Sequence, residues 1–165
     1  MQCIFSYCKE DLSGDVFVVA FYATLVLVTL AISCLARSRS IRSAAILIAG
    51  AWVFSSFAFF YVKIPAYYLV AVMLDTVLAF HFWRMAKVSI FPAPLCILLM
   101  TEIAFVTFAQ AVGLSTYVTL FVLNRLFELT LLYLIGCSFF RIGLTHLQKK
   151  AIEPITDWRV RFVVG

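Results

Sequence analysis

The chain has 165 residues, 65% of them hydrophobic, with a formal net charge of +5 and a mean hydropathy of +1.08. Soluble domains are about 45–50% apolar, so an ordinary soluble enzyme or binding module is excluded, and the length holds one membrane bundle without a second domain. A net charge of +5 could suggest nucleic acid as a partner, but its distribution argues against that, because the basic residues follow the loops on one side of the membrane, a topology signal.

Residues 1–14 read as a short external segment. Cys3 and Cys8 flank it and are a candidate disulfide in an oxidising compartment, with two unpaired thiols as the alternative. Lys9, Glu10, Asp11 and Asp15 stand where a signal peptide has its basic region, and no small-residue cleavage site follows. The first apolar run is therefore expected to stay in the protein.

A window of roughly 19 residues finds five spans, at 16–35, 41–62, 64–84, 91–112 and 114–140. The fold class is all-α, a polytopic membrane helix bundle. Span two carries Ala45, Ala49, Ala51 and Ser55, small residues at a spacing that lets helices approach closely. Span three opens on Ile64-Pro65, with Pro at a favourable first position. The links at Lys63 and around Gly113 are so short that spans two and three, and four and five, are expected to form tight antiparallel hairpins. Residues 141–165 form a basic tail that extends the fifth helix or lies on anionic headgroups. Trp158, Arg159 and Arg161 are interface anchors there, as Trp83 and Arg84 are at the end of span three.

Lys and Arg are distributed asymmetrically. Lys9 and Lys63 fall on one side, against Arg37, Arg39, Arg42, Arg84, Lys87, Arg141, Lys149, Lys150, Arg159 and Arg161 on the other. Such a bias predicts an external N-terminus and a cytoplasmic C-terminus. The expected location is a bacterial cytoplasmic membrane or its equivalent, crossed several times.

Four ionisable residues lie inside these spans: Asp75, Glu102, Arg125 and Glu128. A charge at mid-bilayer costs about 2.5–3.5 kcal/mol on insertion scales, so such residues normally face a bundle interior or a water-filled cavity. Each lies within roughly one helical turn of its span's midpoint, so the four share a depth. Asn124, Arg125 and Glu128 share one face of span five, continued by Tyr117 and Phe121. Arg125 is expected to bridge Glu128 and an acid on a neighbouring helix. Three acids against one Arg leave an excess of carboxylate, and Glu102, with only Thr101, Thr107 and Gln110 for polar company on its helix, is the acid expected to be neutral. His81 is a candidate proton exit or a plain interface anchor.

No catalytic or metal-binding motif is present: no GxSxG, HExxH, CxxC or phosphate loop, and no His pair at i, i+4. No cofactor or metal is expected, and an enzyme acting on lipid is a distant alternative. The leading expectation is a structural or accessory subunit of a larger membrane assembly. The alternatives are a proton or cation channel or transporter subunit, and a holin-like lesion-forming protein. Homo-oligomers, other subunits and the bilayer itself are the expected partners.

Overall fold

The computed structural model describes the backbone of residues 12–36, 38–62 and 64–163, and the side chains of 17–36, 38–62 and 66–144. Cys3, Cys8 and the side chains of His146, Trp158, Arg159 and Arg161 lie outside the described residues.

Five helices follow one another: α1 Leu12–Leu35, α2 Arg39–Tyr61, α3 Ile64–Ala86, α4 Ala93–Val112 and α5 Thr116–Val163. Among the described residues there is no strand. Each helix contains a stretch long and apolar enough to cross a membrane, the shortest being the 19 residues Phe17–Leu35. At 1.5 Å per residue these stretches match a hydrocarbon core of about 30 Å. The protein is thus a multi-pass integral membrane protein by length and composition. α5 is the exception in length, with 48 residues. It continues past its apolar stretch, Thr116–Leu144, and through Pro154, where the sequence suggests a stop.

Local chemistry explains the helix ends. Gly113 closes α4 with φ +72, a left-handed conformation that side chains with a Cβ rarely adopt. The Leu114 N–H returns to the Ala109 carbonyl at 2.9 Å, the Schellman pattern that satisfies orphan carbonyls. Pro92 and Pro94 open α4, where a missing N–H loses no helical hydrogen bond. Within the spans, Thr24, Thr29, Thr76, Thr101, Thr107, Thr119 and Thr130 each donate to the carbonyl four residues back. Their hydroxyls are thereby satisfied without water.

The helices form a ring in chain order, α5 packing back on α1, and α2 also reaches α5. The α3–α4 contact is the most extensive, ahead of α2–α3 and α4–α5. The short links therefore join the ends of their helices without making them the closest neighbours. One wall is the α1/α5 pair, another the α3/α4 pair, and α2 bridges them.

Two ends of the bundle differ. The N-terminal end carries the start of α1 and the α2–α3 and α4–α5 links. Toward the opposite end the interior is filled by Ala44, Ala45, Ile48, Leu78, Phe82, Leu95, Leu131 and Leu134. The small residues Ala45 and Ala49 of α2 are buried in this core, so they bring helices together within the chain. Ser33 and Ser138 meet at 3.3 Å between α1 and α5. Tyr133 donates to the Phe91 carbonyl at 2.7 Å, tying α5 to the α3–α4 link. Large apolar side chains such as Phe57, Val77, Phe108 and Leu132 point outward, as a lipid environment allows.

Candidate functional site

In the N-terminal half of the bundle the walls part around a cavity of about 500 Å³ lined by all five helices. Its lining begins near the N-terminal end with Phe17, Phe60 and Tyr117 and stops at Ile48, Leu78, Leu99 and Thr130. Ile48, Leu78 and Leu99 belong equally to the packed core, and so form its floor. The shape is a vestibule with a closed bottom at mid-membrane.

Asp75, Glu102, Asn124, Arg125 and Glu128 all line this vestibule. Their pairing differs from the sequence expectation. Arg125 Nη1 donates to Glu128 Oε2 at 2.6 Å, one helical turn along its own helix, and its guanidinium also lies 5.3 Å from the centre of the Phe121 ring. The interhelical partner of Glu128 is Tyr22 on α1, whose hydroxyl donates to Oε1 at 2.7 Å. No acid of α3 or α4 pairs with Arg125, and the backbones of α3 and α5 are not adjacent. Physically, a guanidinium reaches a carboxylate on the next turn of its helix without crossing the cavity.

Asp75 and Glu102 are left without a countercharge. Among the described residues neither makes a hydrogen bond or an ion pair. Glu102 is only 8% exposed, yet it borders the cavity. Both carboxyl groups border the same cavity, Asp75 from α3 and Glu102 from α4, the two helices with the broadest contact. Tyr67 also lines the cavity and shares a 3.2 Å hydrogen bond with Ser55 across the α2–α3 seam. Burying an unpaired carboxylate is unfavourable unless a proton, a cation or water compensates it. Glu102 and Asp75 are therefore where the vestibule is chemically incomplete.

The rest of the lining is largely aromatic. Trp52 and Phe59 come from α2, Phe21 and Tyr22 from α1, and Phe121 and Phe127 from α5. Sequence periodicity does not single out Tyr22, which lies in an uncharged run. A usable signal does exist on α2, where Trp52, Ser55, Ser56 and Phe59 recur at helical spacing and all face the cavity.

His81 is exposed and is not part of the lining, since the floor residue Leu78 comes between it and Asp75. Trp83 is exposed, and Lys87 Nζ lies 4.4 Å from the centre of its ring. Arg84 lies 6.0 Å from the Phe80 ring centre. No group of three or more His, Cys, Asp or Glu suited to a metal ion occurs among the described residues. Comparison with protein-family models, curated proteins and solved structures finds no match to this chain.

Proposed function

We propose that this protein is a cation-binding subunit of a membrane transport assembly, taking its cation at Asp75 and Glu102 from the vestibule. The observation that carries the reading is that these two acids border one cavity while Arg125, on its α5 wall, is committed to Glu128. Acids that serve only as glue between helices would be paired, as Glu128 is with Tyr22. Two unpaired carboxyl groups on separate helices instead form a site whose charge is balanced by something that enters and leaves.

The vestibule faces the exterior in this reading, because the Lys and Arg bias puts the N-terminus outside and the C-terminus in the cytoplasm. The closed floor makes it one station of an alternating-access cycle rather than a standing pore. A bacterial cytoplasmic membrane, with further subunits or copies completing the route, is the setting we propose. A second reading, a structural subunit, draws on the Tyr22–Glu128–Arg125 and Ser33–Ser138 contacts, which fix the register of α1 against α5.

Flux through proteoliposomes containing the full chain tests the proposal. Proton or sodium movement that falls at least tenfold in Glu102→Gln and Asp75→Asn supports it. No flux and no cation binding in the unmutated protein, together with a stably co-purifying partner, would favour the structural reading.

A further inference from the structure

The dimensions and walls of the vestibule indicate which cation it takes, an inference that rests on the cation-binding reading above. A dehydrated inorganic ion needs a tight shell, about six oxygens or more for calcium or magnesium. Here the charged oxygens come from two carboxyl groups, and no cluster of three metal-binding side chains occurs among the described residues. The space is about 500 Å³, within the range of roughly 300–1,000 Å³ typical of sites for drug-sized organic molecules.

The chemistry of the walls points the same way. Trp52, Phe59 and Tyr67 stand on the α2/α3 side, and Tyr22 and Phe127 on the α1/α5 side. The Tyr22 and Phe127 rings already lie 6.0 Å apart, centre to centre, and the Phe59 and Tyr67 rings 5.3 Å apart. Aromatic faces attract a positive charge through their quadrupole and offer a large apolar area to the body that carries it. At the inner end, Glu102 is nine-tenths buried, without a partner, and borders the cavity. Asp75 borders the same cavity from α3.

We infer that the vestibule binds an amphiphilic organic cation, its aromatic or aliphatic body held between the α1/α5 and α2/α3 walls and its charge balanced by Asp75 and Glu102. Arg125 contributes to selectivity. Paired with Glu128 and set against Phe121, it places a fixed positive charge on the α5 wall, away from the two unpaired acids. A ligand whose charge sits on the α3/α4 side of the cavity avoids it, whereas one with a second charge against the α5 wall does not.

The test uses the full chain in lipid nanodiscs and two probes of similar shape, tetraphenylphosphonium and the neutral triphenylphosphine oxide, with binding followed by isothermal titration calorimetry. The unmutated protein is expected to bind the cation at least tenfold more tightly than the neutral probe. Glu102→Gln and Asp75→Asn should each weaken the cation at least tenfold and leave the neutral probe unchanged, while Glu102→Asp keeps most of the preference. Equal affinity for the two probes in the unmutated protein overturns the inference, and that comparison needs no variant to fold. So does full cation affinity in Glu102→Gln. If tetraphenylphosphonium fails to bind while Glu102-dependent proton or sodium flux persists, the organic-cation inference alone falls. If neither is seen, the cation-binding reading falls with it.

Discussion

The Tyr22–Glu128 contact makes a quantitative prediction about what holds α1 to α5. The hydroxyl–carboxylate distance is 2.7 Å, at the long edge of the charge-assisted range of about 2.5–2.7 Å. Hydrogen bonds to charged groups contribute about 1.5–3 kcal/mol in soluble proteins. Between membrane helices, double-mutant cycles give about 0.6 kcal/mol on average and about 1.7 at most. The acceptor here is a carboxylate that also takes Arg125 at 2.6 Å, so its charge is shared between two donors. We expect a coupling energy of about 1–1.5 kcal/mol between Tyr22→Phe and Glu128→Met, below the membrane maximum. Reversible unfolding in bicelles by steric trapping measures all four corners of the cycle. Distant, independent sites add within about 0.5 kcal/mol, so a coupling below that value would refute the clamp. Ser33→Ala with Ser138→Ala is the internal control. Their contact is longer, 3.3 Å, and Ser138 also donates to the Leu134 carbonyl at 2.7 Å, so the coupling should fall below that of the Tyr22–Glu128 pair, near the membrane average of about 0.6 kcal/mol.

Leu134→Ala, at a position 0% exposed, should cost about 2–5 kcal/mol in the same assay. Leu132→Ala, at a position 60% exposed toward lipid, should stay within about 0.5 kcal/mol. Ala44→Leu, forced into a site with 0% exposure, should destabilise by about 1–3 kcal/mol through overpacking. Gly113→Ala should lower stability by about 1 kcal/mol, because φ +72 is strained for any side chain even where there is room for a Cβ. Ser115→Cys should react with a membrane-impermeant maleimide on intact cells and Ser89→Cys should not. The reverse pattern would invert the proposed orientation.

The five spans, and the depth shared by Asp75, Glu102, Arg125 and Glu128, are legible in the sequence because hydropathy and a rise of 1.5 Å per residue fix both. The common face of Tyr117, Phe121, Asn124, Arg125 and Glu128 is legible too, since helical spacing alone places them together, and all five line the cavity. Which neighbours pack most extensively is not. Short links make α2 and α3, and α4 and α5, neighbours, and both pairs do touch, but a link constrains only the ends it joins, and side-chain shape decides the rest. That is how α3 and α4 become the tightest pair. The Tyr22–Glu128 contact stays hidden for a related reason: a single hydroxyl in an apolar run carries no charge or periodicity to mark its partner 106 residues away.

The ring has a consequence for how anything gets in. At the N-terminal end the α2–α3 and α4–α5 seams are laced by their links, and a link of about three residues spans only roughly 10 Å when fully stretched. The α5–α1 seam is pinned by Tyr22, and α3–α4 is the broadest contact in the molecule. Among the described residues no hydrogen bond fastens the seam between α1 and α2 there, and their link lies at the far end. Any sideways entry from the surrounding lipid is therefore expected along that seam, where Val18 of α1 and Phe60 of α2 both line the vestibule.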